Sequence, residues 1–272
     1  MDLPPRPAAD PAAWFAAVAA ALLNRAELVV AGRPLRTAEV EFYLNHPEHP
    51  DPFAHAHTVQ REWGRWYFHR AGAAFRGGSF KGLDLALGDG AAAVGVLLRT
   101  VVAPDGGVID GPSRLVDDLL KRTGAGSVAE LDTRLPGAAA FGPAMPVHVR
   151  ATPDRGAEVF VTARVGLSLK RAGAFPEMPR YIGRAYRFLT EPRRIGPGRP
   201  QLVAALHRDG LTVPEVRDRT GIAARLIGRY AAAFDEGRRT RDFGRYVGAD
   251  LGPLDCCRLL GAWEAVYGGP PR

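Results

Sequence analysis

Two extended runs, residues 26–31 and 34–44, are separated only by Gly32-Arg33. A gap that short holds a tight turn and nothing else, so the runs pair antiparallel and begin a sheet. Glu41 and Tyr43 lie two apart on the second run, which puts both side chains on one face. Strand signals return at 65–69, 83–87 and 93–103, with Gly88-Asp89-Gly90 marking a turn between the last two. A hairpin of 147–151 with 158–163 is expected around Pro153-Asp154-Arg155-Gly156. Helical spacing covers 12–24, and a second helix starts at Gly111-Pro112-Ser113 with Leu115, Leu119 and Leu120 on one face. Ser113 is a capping residue type at that start. Residues 164–182 read as a loop punctuated by Pro and Gly, and 184–189 as a short extended piece.

The Pro/Gly run 195–200 is the linker candidate, and helical patterns follow it at 200–208, 213–220, 222–236 and 253–267. Gly210 to Pro214 and Thr220-Gly221-Ile222 stand where a helix-turn-helix places its turns. The fold class expected is α+β: a single mixed domain with a curved antiparallel sheet and surrounding helices, plus a helical C-terminal extension. The divisions are a disordered N-terminus over 1–11, a catalytic domain over 12–196 and the helix-turn-helix-like extension over 200–272.

A chain of 272 residues, 46% of them hydrophobic, is long enough to bury a large core. The formal net charge is +7. Residues 164–245 hold 18 Arg and Lys against 8 Asp and Glu, so 18 − 8 leaves +10 there, more than the whole surplus. A basic segment of this kind suits a polyanion such as nucleic acid. The two cysteines, Cys256 and Cys257, are adjacent, a spacing that disfavours a relaxed disulfide, and are expected reduced. The apolar stretch 12–23 follows Asp2 and Asp10 and is too short to span a bilayer. A cytoplasmic, monomeric protein without a membrane partner is expected. Neither Gly-x-Gly-x-x-Gly nor a phosphate-loop lysine motif occurs, which argues against a nucleotide-cofactor enzyme.

Beyond Glu41 and Tyr43 lies a segment with His46, His49, His55 and His57, four of the seven histidines. Glu41-Phe-Tyr43-Leu followed by Ala54-His55 resembles the Glu-Ala-Tyr-Leu…Ala-Ala-His segment of the alkyladenine (3-methyladenine) DNA glycosylases. Gly64-Arg-Trp-Tyr67, Val96-Leu-Leu-Arg99 and Gly111-Pro-Ser113-Arg-Leu115 resemble later segments of that family. Arg164-Val-Gly166-Leu-Ser168 and Tyr186-Arg-Phe188 continue the order. The resemblance spans roughly residues 13–195. It implies that Glu41 is the general base that activates water and that Tyr43 and His55 contact a flipped base. Arg99 matches an active-site arginine near the nucleotide's phosphate or the water. Asp84 falls near the family's pocket asparagine. No cofactor or metal is implied, and the partner is double-stranded DNA containing a modified base.

The chemistry suits these residues. Cleavage of an N-glycosidic bond builds positive charge at the sugar C1′, which a carboxylate stabilises while taking the water's proton. The base must first leave the helix, at a cost of a few kcal/mol that stacking offsets. The chain departs from the family after Tyr67. His69 stands where a stacking tyrosine would, and 69–84 is rich in Ala and Gly but carries Arg70, Arg76, Ser79, Phe80 and Lys81. An enlarged, polar pocket is expected, lined by Tyr67, His69, Ser79, Lys81 and Asp84. It would take a bulky modified base such as glucosylated 5-hydroxymethylcytosine in phage DNA, which makes the chain an antiviral defence glycosylase. DNA contacts are expected from Arg70, Arg76, Phe80, Ser113, Arg114, Lys170 and Arg171. Lys81 is also a candidate amine for lyase chemistry. Three other readings are an alkylpurine repair glycosylase, a non-catalytic nucleic-acid-binding regulator and a metal-dependent hydrolase built on the histidines.

Overall fold

A computed structural model describes residues 3–5, 11–137 and 139–268. The disorder expected over 1–11 falls largely outside them. The fold is mixed α+β, with an antiparallel sheet and a helical C-terminal part. The chain divides into two compact units. The first is Met1–Pro50, Ala54–Val159 and Phe188–Thr190; the second is Asp51–Phe53, Phe160–Arg187 and Glu191–Arg272. Among the described residues no helix is long and apolar enough to cross a membrane.

The first unit begins with α1 (Pro11–Asn24), β1 (Ala26–Val30), β2 (Arg33–His46) and β3 (His49–Pro50). It continues through β4 (Trp63–Phe68), β5 (Arg70–Ala71), β6 (Ala74–Phe75), β7 (Leu83–Leu87), β8 (Ala93–Val102) and β9 (Val108–Asp110). Two helices, α2 (Pro112–Thr123) and α3 (Val128–Thr133), precede β10 (Val147–Ala151). The strands lie side by side in the order β10-β1-β2-β8-β7-β4. The β1–β2 turn is Ala31-Gly32, one residue earlier than expected. Both residues have positive φ, 47° and 78°, the backbone of a two-residue hairpin turn.

The sheet has two unlike faces. Val40, Phe42 and Leu44 on β2 stand opposite Leu98, Val96 and Val94 on β8, an apolar set that is fully buried. Phe15 of α1 stacks on Phe42 with ring centroids 4.6 Å apart, and Phe188 meets Phe42 edge-on at 5.4 Å. The alternate positions carry Glu41 and Tyr43, so β2 joins the apolar core to a polar face.

Two compensating bulges interrupt β2 and β8. Thr37 pairs with Val101, Glu39 with Thr100 and Val40 with Leu98. Ala38 and Arg99 are the residues left over. Bulges add local twist and re-aim side chains, and this one sits beside the polar face.

The second unit contains β11 (Phe160–Thr162), α4 (Met178–Ile182), β12 (Arg187–Leu189, in part), α5 (Arg199–Arg208), α6 (Val213–Thr220), α7 (Ala224–Thr240) and α8 (Pro253–Tyr267). The backbones of α7 and α8 touch at two glycines. A Cβ on Gly237 would stand 1.8 Å from the Arg258 carbonyl oxygen, and one on Gly261 1.9 Å from that of Phe234. Arg164 and Asp51, both fully buried, pair at 2.5 Å within this unit. Cys256 and Cys257 are free thiols.

Three local expectations differ from the structure. The hairpin of 147–151 with 158–163 does not form, since β10 pairs with β1, Ala26 facing Ala151. The Asn24 side chain binds both backbone groups of Ala157, and Arg155 reaches the Ala26 carbonyl, so 155–157 is tied to the end of α1. The loop at 164–182 contains α4. Ser113 is not the cap of α2. Gly111, at φ 115°, is the N-cap with Pro112 next, and the Ser113 hydroxyl donates instead to the Gly78 carbonyl at 2.7 Å.

Phe42 is the residue through which α1 grips the strand that carries Glu41. Phe42→Ala is expected to cost about 3–5 kcal/mol of stability, as deletion of a buried aromatic does. Urea unfolding measures it, and a loss under 1 kcal/mol would show that the aromatic stack is not what holds the helix to the sheet.

Candidate active site

Four strands contribute one row of side chains. Glu41 on β2 faces Leu97 on β8, Leu97 faces Asp84 on β7, and Asp84 faces Tyr67 on β4. Residues directly opposite in an antiparallel sheet point to the same side, so all four share one face. Tyr43, Gly95, Ala86 and Arg65 form the neighbouring row. Strands are spaced about 4.8 Å apart, which puts the Glu41 and Asp84 backbones roughly 10 Å from each other.

At one end of the row Glu41 is fully buried. Its Oε2 accepts from the half-buried Tyr43 hydroxyl at 2.8 Å and lies 3.4 Å from Arg99 Nη1. Arg99 also donates through Nε to Glu39 Oε1 at 3.1 Å. Glu39 is fully buried too, and its Oε2 accepts from the Thr100 hydroxyl. That hydroxyl is 3.1 Å from Asp110 Oδ1. Burial works against the charge on Arg99, but Glu41 and Glu39 outweigh it and raise the guanidinium pKa above its ordinary value. The bulge that makes Arg99 the unpaired residue of β8 is what lets one side chain serve both carboxylates.

Glu39 does not feature in the reading of the sequence. Its signal was present: it stands two residues before Glu41, in the same alternation that brings Glu41 and Tyr43 together.

At the other end, Asp84 is buried and divides its carboxylate between two partners. Oδ1 is 2.8 Å from His69 Nε2, and Oδ2 accepts from Gln60 Nε2 at 2.8 Å. His55 Nδ1 is 3.0 Å from the Tyr67 hydroxyl, and the His55 and His69 rings are 4.3 Å apart. His57 stacks on Tyr67 at 5.0 Å. Burial, and then the charge of His69, lower the His55 pKa to about 4. Burial, and then Asp84, push the Tyr67 hydroxyl up to about 12. His57 Nδ1 accepts from the Val59 amide while Gln60 Oε1 accepts from the His57 amide, a reciprocal cap that delivers Gln60 to Asp84. Gln60, which the sequence does not mark, is therefore the third member of this cluster.

The four clustered histidines separate in space. His46 and His49 face one another across β2 and β3, whereas His55 and His57 flank Tyr67. Among the described residues no group of three or more His, Cys, Asp or Glu side chains is arranged to hold a metal ion.

The Ala- and Gly-rich stretch after His69 lies at the surface. It makes the β5–β6 hairpin, whose residues 71–74 are exposed. Arg70 pairs with Asp132 at 3.0 Å and lies 4.0 Å over the Phe75 ring, and Arg76 donates to the Arg70 carbonyl. Ser79 is exposed in the turn Gly78–Phe80, Phe80 is 69% exposed, and the Lys81 ammonium pairs with Asp117. Ser79 and Lys81 thus lie on a surface segment and do not join the row. Arg114 is exposed on α2. Lys170 and Arg171 belong to the second unit, where Lys170 pairs with Asp250 and Arg171 covers Phe175.

The protonation of His55 reports directly on this burial. Its folded pKa lies below the free value of 6.5, at about 4. The unfolded chain therefore binds a proton between those values that the folded chain does not. The stability contributed is complete above pH 6.5 and is lost as pH falls toward 4. NMR titration of the histidine rings is expected to show one ring still neutral at pH 5.5, and removal of the His55 ring should flatten that part of the stability profile.

No protein-family model matches the chain. An uncharacterized protein of Acanthamoeba polyphaga mimivirus, L759, is 34% identical to it over 124 residues, which is 40% of this chain. The match spans 57% of the viral protein's own length.

Proposed function

We propose that the chain is a DNA glycosylase that hydrolyses the N-glycosidic bond of a modified base with water activated by Glu41. The observation that carries this reading is the buried Glu41 carboxylate, fixed by Tyr43 and Arg99, on the same sheet face as Asp84, His69 and Tyr67. The ordered resemblance of six sequence segments to the alkyladenine glycosylases supports it independently. A carboxylate on one side of the sugar accepts the water's proton and faces the charge that grows at C1′. His55, half-buried beside the buried Tyr67, supplies ring surface for a base taken out of the helix. Hydrogen-bonding groups at the far end of the row favour a polar modified base over a flat methylated purine, with glucosylated 5-hydroxymethylcytosine the leading candidate. Such a substrate gives the protein a role in defence against phage, with a cytoplasmic location.

A second reading, a nucleic-acid-binding regulator, rests on the second unit. Gly221, at φ 70°, ends α6, and α7 begins three residues later. Arg217, Arg219, Arg225 and Arg229 are exposed on these helices. The two readings part at Glu41.

Glu41→Gln keeps the shape of the side chain and removes its charge. Single-turnover release of the base from duplexes carrying glucosylated 5-hydroxymethylcytosine, hypoxanthine or 3-methyladenine is expected to fall about 10²–10⁴-fold, the usual contribution of a general base, with DNA binding kept. Unchanged release by Glu41→Gln, or none from any duplex by the wild-type protein, overturns the reading. Release of 3-methyladenine alone assigns the activity to alkylpurine repair. Arg225→Ala and Arg229→Ala are expected to weaken binding equally for all these duplexes and to lower the slope of log affinity against log salt by about 1 each, if these side chains contact phosphate.

A further inference from the structure

Helices α6 and α7 of the second unit meet at a turn of three residues, Gly221-Ile222-Ala223. Gly221 takes the left-handed backbone, φ 70°, that ends α6 abruptly, and its amide donates to the Arg217 carbonyl. The Thr220 hydroxyl donates to the Val216 carbonyl and accepts from the Ile222 amide across the same turn. Thr212 and Glu215 cap the start of α6 reciprocally. Val216, Thr220, Ile222, Ile227 and Tyr230 are all buried, so both helices turn one edge inward. Two helices joined in this way form a helix-turn-helix, whose second helix can enter a groove of DNA.

The outward face of α7 carries charge that the fold does not use. Arg225 and Arg229 stand one turn apart and exposed, and neither has an ion-pair or hydrogen-bond partner among the described residues. No Asp or Glu occurs from Ile222 to Phe234. Arg225 lies in the first turn of α7, where the helix dipole opposes a cation, and that turn holds no acidic residue. An external anion at this end reverses the balance. Between the arginines stands Gly228. Glycine weakens a helix interior, and the usual reasons for it are missing here. Its φ is not positive, and a Cβ would meet nothing within 4 Å, whereas at Gly237 and Gly261 it would collide with backbone. The room at Gly228 is on the outside. With Ala224 and Ala232, both exposed, it leaves the helix bare beside its two cations.

From this arrangement we infer that the second unit is a duplex-docking module: α7 seats in the major groove of unmodified DNA, and Arg225 and Arg229 bind its phosphates. The major groove of B-form DNA is about 12 Å wide, and a helix with its side chains is about 10–12 Å across. A face of Ala and Gly enters such a groove with the least obstruction. The same face lacks the Asn, Gln, Asp and Glu side chains that tell adenine or cytosine from other bases, so the docking is indifferent to sequence. Duplex RNA is a poor partner, because its major groove is too deep and narrow for a helix. The inference goes beyond both readings above. It assigns the second unit a DNA contact of its own, whether or not Glu41 is a catalytic base.

The test measures binding of the full chain to a short unmodified DNA duplex by fluorescence anisotropy across a salt series, with thermal melting to confirm folding. The double variant Arg225→Gln/Arg229→Gln is expected to bind about 10²-fold more weakly near 0.1 M salt. Its slope of log affinity against log salt should fall by about 2. Gly228→Leu removes no charge and adds a helix-favouring side chain where space is open. It should melt no lower than the wild-type protein and yet bind the duplex far more weakly, as only a close approach to the bare helix face explains. Duplex RNA of the same sequence should bind the wild-type protein less tightly than DNA, and the gap should narrow in Gly228→Leu. Unchanged affinity in Gly228→Leu overturns the docking. So does wild-type affinity for duplex RNA or single-stranded DNA equal to that for duplex DNA. The probe carries no modified base, so this result stands apart from the fate of the glycosylase reading.

Discussion

Two carboxylates and one guanidinium share the interior of the first unit, and the polar face of its sheet is organised around them. Glu39 and Glu41 have no exposed surface, and Arg99 bridges them. Removing an ion from water costs several kcal/mol even after relaxation, and an apolar trio of similar volume often serves stability as well or better. Two carboxylates share the one guanidinium. Hydroxyls from Tyr43 and Thr100 supply further hydrogen bonds. A cluster this costly is poorly explained by stability alone. It fits the role proposed for Glu41, a carboxylate that has to be held in place.

The rest of the sheet makes that cluster tolerable. Along β2 each polar residue alternates with an apolar one, so burying Phe42 against Phe15 on one face buries Glu41 on the other. Full burial of an aromatic side chain contributes about 1.5–3 kcal/mol, and the strand has Val40 and Leu44 beside it. The apolar face thus offsets the polar one residue by residue. The bulge at Arg99 then breaks strict alternation where one side chain has to reach two carboxylates. Its carbonyl, freed from the β2 ladder, accepts from the Gly111 amide.

Much of this was legible in the sequence, because the governing signals are local. Turn glycines and alternation gave β1, β2, β4, β7, β8 and β10, and helical periodicity gave the start of α2 and both ends of α1, α5, α6 and α8 to within one or two residues. What was not legible depends on residues far apart in the chain. The pairing of β10 with β1 is accompanied by Asn24 holding Ala157, a contact 133 residues long. The role of Ser113 depends on Gly78, and that of Gln60 on Asp84. The Ala- and Gly-rich stretch after His69 looked like a widened pocket because small residues make room. They also make exposed hairpins, and composition does not tell these apart.

The spacing of the polar groups matters as much as their identity. On neighbouring strands, about 4.8 Å would separate the backbones of Glu41 and Asp84. With β8 between them, the two backbones stand two strand spacings, roughly 10 Å, apart. The residue between is Leu97, apolar and nearly buried, which adds no competing charge. Read across the strands, the sequence is carboxylate, aliphatic side chain, carboxylate–imidazole pair and phenol. A sheet produces such an order at no extra cost, since its register delivers one side chain per strand. Changing any one member leaves the spacing of the others intact.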